Sequence, residues 1–208
     1  MIKKEHLLHG KIFVLSAPSG AGKTSLLNNL KNKFPYLVES VSCTTRKPRV
    51  NEKEGVDYYF LSVDEFMKKK KEGVFVETAE VHGNFYGTPL SFIESRVVDK
   101  INVICDIDYQ GAINIKKAFP KESVLIFILP PSMNELEKRL RGRATDDERV
   151  VKQRLENAKN EITFYPFYNH IVINDDFERA SSQLEHIIMA NTESSILYNF
   201  ETIRKLIE

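Results

Sequence analysis

The sequence predicts an α/β fold in which a central parallel sheet carries helices on both faces. Strand-like and helix-like segments alternate along most of the 208 residues, the order found in folds built from strand–helix–strand units. The strand-like segments 101–108 and 124–129 are apolar at nearly every position, as expected for strands covered on both faces. The first strand-like segment, residues 12–15, leads into a glycine-containing loop and then into a helix-like run.

The loop after the first strand, which we name the phosphate loop (residues 17–25), has the composition of a phosphate-binding turn. Its glycines let the backbone curl so that successive N–H groups face a polyphosphate at the positive end of the next helix. Lys23 can reach the outer phosphates, and the Thr24 hydroxyl can hold Mg²⁺. The full signature begins with glycine, so Ala17 in that place requires a negative φ. The residues predicted to bind ATP here are Ala17, Pro18, Ser19, Gly20, Ala21, Gly22, Lys23, Thr24 and Ser25.

The segment after the first helix predicts a small α+β lobe inserted into the main sheet. The first helix is expected over 24–33, because a proline soon follows it. The strands predicted next are 40–42, 56–61 and 74–77, joined by polar turns. A helix between the last two is opened by the capping box from Ser62 to Glu65 and is closed near Gly73.

The rest of the chain returns to alternating strands and helices. Thr88 and Pro89 predict the start of a helix with proline in its first position. The strands predicted here are 101–108, 124–129 and 170–174. One helix is predicted to begin near residue 112. Four more are predicted at 132–142, 145–165, 176–190 and 194–207, and capping boxes at 132–135 and 145–148 open the first two of these.

Two carboxylates end the strand 101–108. The two-residue period of a strand puts Asp106 and Asp108 on one side of the sheet at its C-terminal end, where ligands bind in open α/β folds. Asp106 stands where an aspartate usually orients the Mg²⁺ shell, so we predict a metal site of Thr24 and Asp106, with or without intervening water. Residues 108–111 also fit the D-x-x-G pattern of GTP hydrolases. The Asn-Lys-x-Asp sequence with which that family reads guanine is absent, which disfavours this interpretation.

Two separate groups of arginines predict two phosphorylated substrates. Arg46 and Arg49 lie in the predicted lobe, and a second group surrounds Gly142. Guanidinium groups offer planar, bidentate donors that match phosphate oxygens. One group could hold an acceptor monophosphate, while the other could neutralise a phosphoryl group in transfer. Surface salt bridges are the alternative role for any one of them. The second group consists of Arg139, Arg141, Arg143 and Arg154.

Composition excludes several classes of protein. A formal net charge of +1 argues against a chain that wraps nucleic acid. No segment approaches the eighteen or so apolar residues that span a membrane, and the first ten residues lack a signal-peptide core. Two cysteines, Cys43 and Cys105, have no metal-like spacing. We therefore expect a cytoplasmic protein. An apolar stripe over 196–206 leaves a homodimer open, although such stripes more often pack on their own core.

Seven stretches of the chain, spread over nearly its whole length, match one known family in the expected order. They are Ser-Ala-Pro-Ser-Gly-Ala-Gly-Lys-Thr (16–24), Ser-Val-Ser-Cys-Thr-Thr-Arg-Lys-Pro-Arg (40–49), Gly-Asn-Phe-Tyr-Gly-Thr (83–88), Asp-Ile-Asp-Tyr-Gln-Gly (106–111), Pro-Pro-Ser (130–132), Arg-Leu-Arg-Gly-Arg (139–143) and Val-Ile-Asn-Asp-Asp (172–176). Through them the chain closely resembles the guanylate kinases, the ATP-dependent GMP phosphotransferases. Two departures are small: Ala17 replaces the commoner glycine, and Phe85 stands where a tyrosine is frequent.

The resemblance implies a three-layer P-loop NTPase fold and a reaction. The core of this fold would cover residues 1–40 and 89–208. It would contain a helical lid at about 132–157, and residues 41–88 would form a GMP-binding lobe. The implied reaction is Mg²⁺-dependent phosphoryl transfer from ATP to GMP, and to dGMP. Carried over by motif, the GMP-binding residues are Ser42, Arg46, Arg49, Tyr58, Glu77, Tyr86, Gly87, Thr88 and Asp108. The residues implied around the transferred phosphoryl group are Lys23, Arg46, Arg139, Arg143 and Arg154.

The chemistry of guanine agrees with these implied roles. Its Watson–Crick edge presents N–H donors at N1 and N2, so carboxylates such as Glu77 and Asp108 favour it over adenine, which lacks that pair. Two alternatives stay open. A kinase for another nucleoside monophosphate would share the loop and the arginines but would not need these paired acceptors. A guanylate-kinase-like module that binds protein partners would be expected to lack a working phosphate loop, whereas Gly22, Lys23 and Thr24 are all present here.

Overall fold

The structure is a computed structural model that describes residues 10–81, 83–142 and 147–192. The strands are β1 (Ile12–Ser16), β2 (Val38–Glu39), β3 (Cys43–Thr44), β4 (Tyr59–Phe60), β5 (Phe75–Val81), β6 (Asn84–Pro89), β7 (Val103–Asp106), β8 (Ser123–Leu129) and β9 (His170–Ile173). The helices are α1 (Lys23–Lys33), α2 (Val63–Lys71), α3 (Leu90–Val98), α4 (Tyr109–Ala118), α5 (Met133–Arg141), α6 (Glu148–Ile162) and α7 (Phe177–Thr192), with a 3-10 turn at Tyr165–Phe167. The predicted helix 194–207 lies outside the described residues, as does Arg143.

In the described part of the chain, five parallel strands form the main sheet, in the order β2-β7-β1-β8-β9. β1 lies at its centre, and Val14 stands opposite Cys105 on one side and Leu125 on the other. All five residues of β1 are buried, which explains why this segment is apolar at nearly every position. The central parallel sheet predicted from the sequence is confirmed.

Helices cover both faces of this sheet and give three layers. On one face, Leu26 of α1 and Leu184 of α7 belong to one apolar cluster with Phe13 of β1. On the other face, Ile93 of α3 and Ile115 of α4 belong to a second apolar cluster, with Ile12, Val14 and Leu125 of the sheet. A third, smaller cluster joins α5 to α6 through Leu136, Leu140, Val151 and Ala158. None of the helices in the described part of the chain is both long and apolar enough to cross a membrane.

The inserted segment forms a second sheet, in the order β4-β3-β6-β5. β6 pairs antiparallel with both β3 and β5, whereas β3 and β4 run parallel. α2 packs on it through Phe66, whose ring stacks on Phe75 and Phe85 with centroids 4.7 and 5.7 Å away. The predicted capping box is confirmed, because Ser62 and Glu65 each accept a hydrogen bond from the other's backbone N–H.

The short strands of this segment differ from their predicted positions. The strand predicted at 40–42 is wrong, because the chain passes there from one sheet to the other. The Ser40 N–H donates to Ile104 O in the main sheet, whereas Ser42 O accepts from the Tyr59 N–H in the second sheet. The strand predicted at 56–61 shortens to β4. The one predicted at 74–77 extends to Val81, because β5 pairs along its length with β6.

Three predicted helix starts also move. Pro89 does not open α3 from its first position: β6 continues through Pro89, which pairs with Phe75 and becomes the N-cap. α4 begins at Tyr109 rather than near residue 112, because the Asp108 side chain accepts from the Gly111 N–H and caps the helix. α6 is capped by Asp147 rather than by Thr145, which lies outside the described residues.

Candidate active site

A cleft of about 730 Å³ opens at the carboxyl ends of β1 and β7. Three parts of the protein form its walls: the phosphate loop, the second sheet together with the start of α4, and one face of α6. The residues that line it are Ala17, Pro18, Ser19, Gly20, Gly22, Lys23, Thr24, Ser25, Ser42, Tyr58, Glu77, Ala79, Glu80, Val81, Tyr86, Asp106, Ile107, Asp108, Tyr109, Gln110, Arg154, Asn157, Asn160 and Glu161.

Two glycines set the shape of the phosphate loop. Gly20 and Gly22 both have a φ of 94°, a left-handed conformation that residues with side chains rarely adopt. Gly22 directly precedes α1 and has no side chain with which to cap it, so the first N–H groups of the helix are left for a ligand. A tight loop that feeds a helix N-terminus binds anions through these N–H groups and through the helix dipole.

A cation, a hydroxyl and a carboxylate stand together at this end of the cleft. Lys23 Nζ forms an ion pair with Asp106 Oδ1, and Thr24 lines the same cleft. Within the described ranges, no group of three or more His, Cys, Asp or Glu side chains could hold a metal ion alone. Thr24 and Asp106 nevertheless suit Mg²⁺, which is usually held by one or two protein oxygens and completes its shell with phosphate and water.

On the opposite wall, Glu77 of β5 is a buried carboxylate, only 5% exposed, at the edge of the cleft. Its Oε1 accepts a 2.6 Å hydrogen bond from the Thr88 hydroxyl, which lies 3.2 Å from the Ser42 hydroxyl. Its Oε2 packs against α4 beside Gly111, where an added Cβ would come within 3.0 Å. The carboxylate is therefore held in one orientation by β6 and by the first turn of α4.

The surroundings of Glu77 favour its protonated form. Burial raises the pKa of the Glu77 carboxyl to about 7, and the negative charge of Asp108 adds to this effect. The hydrogen bond from Thr88 acts in the opposite direction. Asp108 is the second carboxylate of this pocket; its Oδ1 accepts from the Gly111 N–H at 2.9 Å, and its other oxygen can accept from a ligand. Two acceptors thus belong to the same pocket.

A basic and aromatic group lies beside this pocket. The Arg46 guanidinium makes two hydrogen bonds to Glu52, at 2.8 and 2.9 Å, and lies over the Tyr58 ring at 5.4 Å from its centroid. Glu52 also accepts a hydrogen bond from the Arg49 N–H, so one carboxylate holds both ends of the Arg46–Arg49 loop. The Tyr58 and Tyr86 rings meet edge to face at 6.0 Å.

One face of α6 forms another wall of the cleft. Arg154, Asn157 and Glu161 recur at spacings of three and four residues and all line the cleft. Burial and the negative charge of Asp108 raise the pKa of Glu161 to about 7, while Lys23 acts in the opposite direction. Just after the helix, Phe164 stacks on Tyr109 of α4 with ring centroids 4.1 Å apart. This contact anchors the end of α6 beside the carboxylates.

The structure brings many, but not all, of the predicted site residues to the cleft. Among the predicted residues that the structure describes, those that do not line the cleft are Ala21, Arg46, Arg49, Gly87, Thr88 and Arg139. Ala21 is fully buried, and Gly87 is packed under the Phe75 ring, where an added Cβ would lie 2.9 Å away. Thr88 donates its hydroxyl hydrogen bond to Glu77, which does line the cleft. Arg139 donates from Nε to Glu135 and from a terminal nitrogen to Asn174 O, both at 3.0 Å.

Sequence reasoning missed several residues of the site. Glu161 and Asn157 were not singled out, although they lie on the same helical face as Arg154, and that spacing is readable from the sequence. Glu52 has no such signal, and Asn174 is marked only by the matching stretch 172–176. Glu52 becomes important only through its bonds to Arg46 and Arg49, and Asn174 only through a contact with a loop 153 residues away.

Comparison with known proteins gives one consistent result. A family model described as guanylate kinase matches residues 9–191. A guanylate kinase from Hydrogenovibrio crunogenus is 46% identical over 185 residues, covering 89% of this chain and 90% of that protein. One from Myxococcus xanthus is 49% identical over 182 residues, covering 87% of each. Among solved structures, the crystal structure of guanylate kinase from Anaplasma phagocytophilum superposes with a TM-score of 0.71 at 37% identity, covering 90% of this chain and 89% of that one.

Proposed function

The chain belongs to the guanylate kinase family, and we propose that its cleft holds ATP on the phosphate loop and GMP against the second sheet. As a member of this family it is a kinase that transfers a phosphoryl group from ATP to GMP, giving ADP and GDP. The proposal assigns the core to 1–40 and 89–208, the GMP-binding lobe to 41–88 and the lid to about 132–157. One observation carries it: a buried, oriented carboxylate, Glu77, opens onto the same cleft as the phosphate loop.

The guanine base is read by the paired acceptors. Glu77 and Asp108 each keep an oxygen for the N1 and N2 donors of guanine, while the Thr88 hydroxyl, which lies beside that of Ser42, orients Glu77. Each acceptor left without its partner costs roughly 1 to 3 kcal/mol, so adenine, which lacks both donors, is rejected twice. None of these contacts uses the ribose 2′-hydroxyl, so dGMP is proposed as a second acceptor substrate.

The GMP phosphate is held by Arg46 and Arg49, with Tyr58 and Tyr86 beside them. Arg46 is already oriented by Glu52 and by the Tyr58 ring, so little side-chain freedom is lost when the phosphate binds. The bidentate fork of arginine suits a phosphate dianion. Charge neutralisation here also makes a GMP phosphate oxygen approach the γ-phosphate of ATP with less repulsion.

The reaction needs positioning and charge neutralisation more than covalent chemistry. A GMP phosphate oxygen attacks the γ-phosphorus of ATP in line, and the bond from that phosphorus to the bridging oxygen of ADP breaks. Lys23, Arg139, Arg143 and Arg154 are proposed around the moving phosphoryl group. Removing a transition-state arginine can lower the rate by roughly 10³ to 10⁵.

Mg²⁺ is the proposed metal, with Thr24 and Asp106 as the residues that would hold it, directly or through water. When bound, it would neutralise charge on the β- and γ-phosphates of ATP. Every residue assigned to these roles comes from one chain, so the proposal does not require a homodimer. We also propose that the protein works in the cytoplasm, where both nucleotides are present.

The proposal is tested by measuring ADP formation from ATP and Mg²⁺ with GMP, dGMP, AMP or UMP as the acceptor. Turnover is expected with GMP and dGMP but not with AMP or UMP. Lys23→Met should abolish turnover and should leave GMP binding, measured by calorimetry, largely intact. Comparable turnover with AMP would contradict the guanine assignment, and normal turnover by Lys23→Met would contradict the assignment of the phosphate loop.

A further inference from the structure

Asn174, the residue after β9, contacts the phosphate loop from outside the cleft. It belongs to the Val-Ile-Asn-Asp-Asp stretch, to which the proposed function gives no role. The residue is 7% exposed, and its side-chain Nδ2 donates a 2.7 Å hydrogen bond to Ala21 O. Its own N–H donates to Leu129 O at 2.8 Å, so the main chain that carries this side chain is fixed to the end of β8.

The bond to Ala21 O sets the direction of the next N–H group. The Ala21 carbonyl and the Gly22 N–H belong to one planar trans peptide, in which the two groups point in opposite directions. Since the carbonyl is held toward Asn174, the Gly22 N–H points away from it. Gly22 lines the cleft, whereas Ala21 and Asn174 do not. The buried amide therefore aims this N–H group toward the place where an anion would bind.

Asn174 also packs directly against the glycine of this peptide. A Cβ added to Gly22 would overlap Asn174 Nδ2, so the two residues are in direct contact. Gly22 also has a positive φ, which an L residue with a side chain adopts only with strain. Asn174 thus supports the same glycine whose conformation makes the loop.

The backbone carbonyl of Asn174 is also hydrogen-bonded to α5. Asn174 O accepts a 3.0 Å hydrogen bond from the Arg139 guanidinium, whose Nε is held by Glu135. α5 also packs directly on the loop, since a Cβ added to Gly20 would lie 3.0 Å from Leu136 and from Leu140. One residue therefore fixes both a loop peptide and an arginine that is proposed to neutralise the phosphoryl group.

We propose that Asn174 is a positioning residue for the polyphosphate of ATP: its side chain orients the 21–22 peptide of the phosphate loop, and its carbonyl places Arg139 beside that loop. The inference rests on the proposed binding of ATP at this loop. Asn174 is not among the residues proposed to contact GMP. Replacing Asn174 should therefore weaken the binding of ATP and leave the binding of GMP unchanged.

The decisive variant is Asn174→Asp, which keeps the size of the side chain and replaces the amide donor by an oxygen. At pH 8 the ionised carboxylate faces Ala21 O and repels it, so the peptide should turn. Binding of adenylyl imidodiphosphate with Mg²⁺, measured by calorimetry, should weaken at least about tenfold, with GMP affinity within about twofold of wild type. Lowering the pH protonates the introduced carboxyl, which can then donate to Ala21 O, so the nucleotide affinity of the variant should recover relative to wild type.

Asn191→Asp is a matched control, because Asn191 also donates from Nδ2 to a backbone carbonyl, Ile187 O at 2.8 Å, but lies in α7 outside the cleft. It should leave both affinities unchanged. The inference is overturned if Asn174→Asp binds both nucleotides normally, loses both equally, or shows no recovery at low pH. If Asn174→Asp does not fold, Asn174→Ser replaces it in the test. This variant must bind the ATP analogue as weakly as is expected for Asn174→Asp, and its affinity must not recover at low pH. If wild type itself fails to bind the ATP analogue, the proposed function fails instead.

Discussion

Replacing Glu77 by Gln should stabilise the fold while it weakens GMP binding. The pKa of Glu77 is about 7 in the folded protein, against 4.5 for an unperturbed glutamate, so the folded state holds this proton more tightly than the unfolded state does. Stability therefore falls as the pH rises between about 4.5 and 7, and it stays lowered above that range. The difference in pKa corresponds to about 3 kcal/mol at pH 8 and to less than about 1 kcal/mol at pH 5.

Glutamine keeps the oxygen that accepts from Thr88 and never carries the charge, so the variant escapes this penalty. Urea unfolding at pH 8 should show Glu77→Gln to be more stable than wild type by about 3 kcal/mol, and the gain should shrink below about 1 kcal/mol at pH 5. Glu80→Gln, the same change on the same strand at a less buried position, should alter stability by less than about 0.5 kcal/mol at either pH.

The same variant should bind GMP at least about tenfold more weakly, because guanine loses a charged acceptor. Opposite effects on stability and on binding are the signature of a carboxylate that is kept for function. The reasoning is refuted if Glu77→Gln is no more stable than wild type at pH 8, or if its gain in stability is the same at pH 5.

Three further outcomes follow from the site. Below pH 7, protonation of Glu77 should raise the KM for GMP in initial-rate assays by up to about tenfold per pH unit. Glu77→Gln should lose this contribution to the pH dependence of KM and should keep only the contribution from titration of the GMP phosphate. Glu52→Gln should raise the KM for GMP severalfold with the KM for ATP unchanged, because the Arg46–Arg49 loop loses its anchor; an equal effect on both KM values would argue against this role. Gly87→Ala should lower the free energy of unfolding by roughly 1 to 3 kcal/mol, because the new methyl group meets the Phe75 ring, and an unchanged urea midpoint would contradict that contact.

The parts of the fold that were predictable are those whose signals are local in sequence. Phosphate binding needs glycines, a lysine and a hydroxyl within a few residues of a strand end, so the phosphate loop is visible in the sequence without any tertiary information. The buried strands β1, β7 and β8 are equally visible, because nearly all of their residues are buried and every residue between their two ends is apolar.

The errors arose at a strand pairing, at a helix cap and at contacts between residues far apart in the chain. Pro89 looks like the first residue of a helix, but the pairing of β6 with β5 extends the strand through it. Asp108 was expected to extend a strand and instead caps α4, so its role in the site depends on a helix that begins three residues earlier than predicted. Asn174 reaches the phosphate loop through a hydrogen bond to a residue 153 positions earlier in the chain, a contact that no local pattern predicts.

The measurement that tests the central claim most directly compares GMP with inosine monophosphate, which lacks only the 2-amino group of guanine. The kcat/KM of wild type should favour GMP by about 5- to 150-fold, because one buried acceptor loses its donor. This preference should shrink toward unity in at least one of two variants, Glu77→Gln and Asp108→Asn. Asp108→Asn keeps a side-chain oxygen that can still cap α4. Equal use of the two nucleotides by wild type, or a preference that both variants retain in full, would show that these carboxylates do not read guanine.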